Sequence, residues 1–207
     1  MIVAIESAST DPSVAVARRD GTILHTDGWS AGQRQAHELL PRLLAALALT
    51  GSSLVQVSAI GIGTGPGSFT GLRVGMSVAK GLAFALVRPI VGVPSLVAWL
   101  AAEPEADGAA ARAGARDAYL LARGEAVPRI VDRDELASAT GRLVAPAELV
   151  EAFGLVNAIP PSRAAAAVAA AVATRLSVDP AGDDLDRLEP VYLRAPRGIG
   201  PVPKRVS

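Results

Sequence analysis

Cysteine is absent, which excludes disulfides and thiolate metal sites. Aromatic residues make up only 3% of the 207, so a core must be built from Ala, Val, Leu and Ile. Histidine occurs only as His25 and His37. The formal net charge is +0, which argues against a nucleic-acid binder acting alone without excluding RNA contact inside a complex. The longest uncharged apolar run, from Pro89 to Ala102, is too short and too broken by proline to span a membrane. The opening residues, Met1 to Glu6, lack a basic leader and read as a strand. These absences lead us to expect a cytoplasmic, soluble protein. Half the residues are hydrophobic, enough for one large domain or two small lobes.

The apolar runs Ile2 to Glu6, Ser13 to Ala17 and Thr22 to Thr26 are separated by Asp11-Pro12 and Asp20-Gly21, a pattern for three antiparallel strands. A helix follows from Gln35 to Leu49, with Pro41 inside it and Gly51 as its stop. On a helical wheel its residues Leu39, Leu40, Leu43, Leu44 and Leu47 cover an arc of roughly 140°. Then come a strand (Val57 to Ile62), a glycine-rich loop, a helix (Leu72 to Val87), a strand (Ile90 to Val93) and a helix (Ser95 to Glu103). The order β-β-β-α-β-α-β-α implies a mixed five-stranded sheet with helices on its faces. Composition shifts after Glu103, and we expect a first lobe over 1–103 and a shortened second lobe over 104–207. Residues 104–118 read as a linker or frayed element. Tyr119 to Ala122 reads as a strand, Arg163 to Leu176 as an Ala-rich helix that needs a close neighbour, and Val191 to Leu193 as a last strand. The tail from about Ala195, with three prolines and Arg197, Lys204 and Arg205, reads as mobile.

The most informative stretch is Gly63-Thr64-Gly65-Pro66-Gly67-Ser68-Phe69-Thr70-Gly71-Leu72-Arg73-Val74-Gly75. A glycine-rich loop between strand and helix is a common anion site. Yet Gly71 is followed by Leu72, not by the lysine of a phosphate loop, and the dinucleotide and nucleophile-elbow spacings both fail. A tight strand-to-helix turn, stiffened by Pro66, is the other reading. Glu6, Ser68 and Thr70 are the polar groups to test there, with sheet-end hydrogen bonding and helix capping as their structural roles. On the helix that follows, Arg73, Ser77 and Lys80 share a strip of about 60° with Phe84, leaving roughly 240° apolar or small. Such a helix has two faces to bury. One covers its own sheet, and the other needs a second helix, with the Leu-rich helix as its neighbour.

At these residues the chain resembles the bacterial TsaB (YeaZ) family. The resemblance rests on the loop signature with Ala79-Lys80-Gly81-Leu82-Ala83, on Ala4 to Thr10, on Leu39-Leu40-Pro41, on Pro89 to Leu96, and on Glu189 to Arg194. It covers the first 103 residues well and the second half thinly. It implies the fold of actin-like ATPases and sugar kinases, with two related lobes. It also implies a non-catalytic scaffold subunit of the machinery that adds threonylcarbamoyl to adenosine 37 of tRNAs reading codons that begin with A. In this reading the chain pairs with a catalytic TsaD-like subunit, is joined by a TsaE-like ATPase, and meets tRNA only through the complex. ATP and metal are expected on the partners and no cofactor on this chain. A homodimer through the same helices is expected of the free protein. The partner interface is expected at Leu39, Leu40, Leu43, Leu47, Val74, Val78 and Leu82.

The chain departs from the family pattern at several points. Glu6 stands where the family usually has Asp, and Gln35 where it often has His. The metal-binding His-x-x-x-His of the TsaD sister family has no counterpart in Val93 to Ala98. A second-lobe motif survives only as Gly114 to Tyr119. The rival reading is an ATPase or small-molecule kinase of the actin-like fold that uses the Gly63–Gly71 loop.

Overall fold

The computed structural model describes residues 1–32, 34–139 and 141–192. The first sheet contains β1 (Ile2–Glu6), β2 (Ser13–Ala17), β3 (Ile23–Gly28), β4 (Ala59–Gly63) and β5 (Ile90–Val93), in the order β3-β2-β1-β4-β5. Strands β1, β2 and β3 are antiparallel neighbours; β4 and β5 continue parallel to β1. The alternation of β1 sends Val3 and Ile5 to one face and Ile2 and Ala4 to the other.

The first face is covered by α1 (Gln35–Leu49) and α2 (Phe69–Leu86). Leu39, Leu43 and Leu47 pack there with Ile60, Ile62, Met76, Ala79 and Ala83. Helix α1 runs through Pro41. By length and composition alone α2 could cross a membrane. Here it lies on the sheet, with Gly71, Leu72, Gly75, Met76, Ala79 and Ala83 buried.

The second half repeats the plan. Strands β6 (Gly108–Arg112), β7 (Asp117–Ala122), β8 (Arg129–Asp132), β9 (Leu143–Val144) and β10 (Ala158–Ile159) form a sheet of order β10-β9-β6-β7-β8. The same antiparallel and parallel relations recur. The second lobe keeps every strand but shortens its elements: β9 and β10 have 2 residues each, α4 (Arg133–Ala137) has 5 and α5 (Ala147–Phe153) has 7. The stretch expected as a linker therefore holds the central strand β6. Its Ala109, Ala110 and Ala111 are almost wholly buried, so packing between neighbours overrides the weak strand propensity of alanine.

Each half lends its last helix to the other. Helix α3 (Ser95–Ala102) packs Leu96, Trp99 and Leu100 against Ala109, Ala111, Tyr119 and Leu121 of the second sheet. Helix α6 (Ala164–Val178) covers the open face of the first. The close neighbour that its small side chains need is a sheet face of Ala4, Ala15, Ala17 and Gly61. A Cβ at Gly61 would stand 2.7 Å from Val172 Cγ2. The hydroxyl of Ser13 accepts the Ala165 N–H at 3.0 Å, tying β2 to the first turn of α6.

Residues 183–192 then run along the outer edge of β5 and beside α2. Asp183 accepts the Gly92 N–H at 2.7 Å, the Lys80 ammonium donates to the Asp186 carbonyl at 3.4 Å, and the Val191 N–H donates to Thr64 at 2.7 Å. The polar strip of α2 is thus met by its own chain. Val191 and Tyr192 are irregular rather than a strand. The remaining residue of that expected strand and the tail from Ala195 lie outside the described residues.

Candidate functional site

The glycine-rich segment joins β4 to α2 beneath the end of β1. It contains a cis Gly65–Pro66 peptide. Gly65 has a φ of +96°, a conformation that favours glycine. Gly67, Gly71 and Gly75 face one dipeptide: a Cβ at the first would strike the Ala8 carbonyl, at the second the Ser7 carbonyl, at the third the Ser7 hydroxyl. The glycines serve close packing of α2 against the turn after β1. Ser68 is the N-cap of α2, its Oγ accepting the Gly71 N–H at 3.2 Å, while Thr70 is exposed. Gln35 is buried and donates to the Ser9 carbonyl, holding α1 to the same turn.

Glu6 is buried at 1% exposure. Its Oε1 accepts the Ala8 N–H at 2.7 Å, but Oε2 has no hydrogen-bond partner, like the nearby buried Ser7 hydroxyl and Trp99 indole N–H. Burial raises its pKa to about 7, opposed by the Ala8 N–H and by the polar groups of Ser95, Trp99 and Ser7. Among the described residues no group of His, Asp and Glu could hold a metal ion.

A cleft of about 930 Å³ opens between the lobes, with Gly67, Ser68 and Phe69 on one side and Arg112, Arg116 and Tyr192 among the others. At its mouth the Arg73 guanidinium lies 3.9 Å from the Phe69 ring centre, and Phe69 and Tyr192 are 5.2 Å apart. In its wall the Thr10 hydroxyl meets the Glu148 carboxylate, and in the neighbouring residues Asp11 accepts the Ala147 N–H at 3.0 Å. Arg112, Glu148 and Tyr192 come from the second half, where the motif signal is thin. The Glu189 to Arg194 stretch and the expected strand Val191 to Leu193 are the sequence signals that include Tyr192.

The expected partner face divides in two. Leu39, Leu43 and Leu47 are buried inside the chain, at 1% exposure or less, so they are corrected to core residues. A wheel gives the centre of an apolar arc but not which part of it the sheet takes. Leu40 and Leu44 remain outward, at 38% and 39% exposure, and Val74, Val78 and Leu82 are half-buried beside them on α2.

Two lobes of one strand order, a cleft between them and exchanged helices define a protein of the actin-like ATPase and sugar kinase architecture. The family model described as "TsaD: tRNA N6-adenosine threonylcarbamoyltransferase" matches residues 30–150. The chain is 34% identical over 135 residues to the tRNA threonylcarbamoyladenosine biosynthesis protein TsaB of Escherichia coli, covering 65% of this chain and 56% of that protein. It is 37% identical over 97 residues to TsaB of Haemophilus influenzae, covering 47% and 40%. YeaZ from Pseudomonas aeruginosa superposes with a TM-score of 0.67 at 25% identity, over 93% of this chain and 99% of that one. The chain belongs to the TsaB (YeaZ) family, within the broader group that the TsaD model describes. It spans about half the length of the curated relatives it matches.

Proposed function

We propose that this chain is a non-catalytic subunit in the synthesis of threonylcarbamoyladenosine at adenosine 37 of tRNAs reading codons that begin with A. It pairs through α1 and α2 with a TsaD-like transferase and, when free, with a second copy of itself. A TsaE-like ATPase joins the pair, ATP and metal reside on the partners, and the complex works in the cytoplasm. The observation that carries the reading is the outward side of the helix pair. Leu40 and Leu44 are exposed beside Val74, Val78 and Leu82, on helices whose other side already covers a sheet. Outward apolar residues on two neighbouring helices suit an interaction surface. The experiment is co-purification with the host's TsaD-like subunit. The pair of substitutions Leu40→Asp and Leu44→Asp abolishes pairing and leaves the far-UV spectrum unchanged. Pairing that survives both substitutions sinks the interface.

The rival reading, an ATPase or small-molecule kinase, draws on the interlobe cleft with Ser68, Arg112 and Arg116. Against it, the loop glycines are filled by Ser7 and Ala8 rather than open to a phosphate. Calorimetry with ATP and magnesium separates the two, since clear binding by the isolated chain favours the rival.

A further inference from the structure

Three arginines gather at the end of the first sheet opposite the cleft. Arg18 and Arg19 lie in the turn after β2, and Arg88 is separated from the start of β5 by Pro89 alone. The sheet register places these sites together: Ala17 pairs with Ile2, and Ile60 pairs with both Val3 and Ile90. The Met1 amine confirms the proximity. Its pKa is lowered first by burial and then by the charges of Arg19 and Arg88, so both guanidinium groups act on one point.

These charges are poorly compensated. Asp20 turns back to accept the Thr22 N–H at 2.9 Å and faces Arg18. Asp179 and Asp183 are taken by Arg175, at 3.1 and 3.5 Å. Among the described residues neither Arg19 nor Arg88 makes an ion pair or a side-chain hydrogen bond, and both are exposed. Beside Arg19 a hollow of about 180 Å³ opens, with Pro89 in its wall; the Ser58 and Ser177 hydroxyls there already donate to the Met1 and Thr174 carbonyls. Unpaired guanidinium groups are donors suited to phosphate oxygens. They stand on two separate turns, Arg19 after β2 and Arg88 before β5, and both are exposed to solvent, where a polyanion can meet them together.

We infer that this end of the sheet holds phosphates of the tRNA backbone once the chain is assembled with its catalytic partner. The inference rests on the reading under Proposed function. Arg88 follows the end of α2, so the patch continues from the proposed pairing face, and RNA held by the partner can run onto it. A chain of net charge +0 does not capture RNA by its overall field, which assigns the patch a role only within the complex.

The test measures tRNA affinity of the purified complex by anisotropy across about 50–200 mM salt. The double variant Arg19→Ala, Arg88→Ala weakens binding roughly tenfold and lowers the salt slope by about 1–2. Lysine at both sites restores most of the affinity, and Arg133→Ala on α4, an exposed arginine of the second lobe, changes nothing. Unaltered affinity and slope in a double variant that still pairs overturns the inference and leaves the pairing reading standing. Loss of pairing in that variant assigns the patch to the partner protein and equally overturns it. Saturable binding of inorganic phosphate, abolished in the double variant while tRNA affinity holds, makes it a small-anion site instead. Failure of the unmodified chain to pair at all removes the reading beneath it, and the inference with it.

Discussion

The Oε2 atom of Glu6 fills the space in which a side chain at Gly63 would begin. The carboxyl at the end of β1 is therefore enclosed by the very loop whose sequence resembles an anion site. Burial disfavours an ionised carboxylate there, and Oε2 has no hydrogen-bond partner among the described residues to offset it.

Glu6 makes stability fall with rising pH. Its pKa of about 7 in the fold stands above the ordinary value of 4.5, so folding takes up a proton between those limits. The contribution is fully present below pH 4.5, is lost as pH rises towards 7, and is level above. Glu6→Gln is expected to gain stability over the parent on going from pH 5 to pH 8, by a few kcal/mol as an order of magnitude. Urea denaturation at the two pH values checks this, and an offset that does not change with pH removes the account.

Gly71→Ala and Gly81→Ala lie in one helix and should differ in sign. The first drives a methyl into the Ser7 carbonyl, whereas the second meets nothing within 4 Å. Gly71→Ala costs about 1–3 kcal/mol or more. Gly81→Ala gains up to about 1 kcal/mol through helix propensity. Thermal denaturation of the two side by side decides whether close approach explains the loop glycines.

Val87 ends α2 with φ 51° and ψ 56°, a left-handed conformation that a β-branched residue adopts only under strain. Its side chain is 84% exposed and contributes little packing. Val87→Gly is expected to raise stability by about 1 kcal/mol, read as a higher melting temperature. A lower one shows that the valine has a packing role.

Arg123 donates to three carbonyls near the end of α3: Ala106 at 2.6 Å, Leu100 at 3.1 Å and Glu103 at 2.8 Å. Arg123→Ala leaves the end of that helix uncapped and is expected to cost roughly 1–2 kcal/mol, reduced from a buried value by its exposure. Hydrogen exchange should report faster opening of Trp99 and Leu100 than of β1.

The first half was legible because each of its elements repeats its own period. Ile2 to Glu6, Ser13 to Ala17 and Ile90 to Val93 alternate or run apolar between turns, and the observed strands keep those bounds. The second half hides its sheet in alanine. Gly108 to Arg112 carries neither branched nor aromatic residues, so only the flanking strands make it a strand. Strands of 2 residues, as at Leu143–Val144, are too short to show any period. Leu43 illustrates the other limit. It shares one apolar arc with Leu44, about 100° away on the wheel, yet one is wholly buried and the other 39% exposed, a choice made by the sheet beneath.

The exchange of α3 and α6 sets an order on synthesis. Ile2, Ala4 and Ala15 leave the ribosome early, but the helix that covers them ends at Val178. Until that point the newborn sheet carries one bare apolar face, which must be sheltered while most of the chain is still to come.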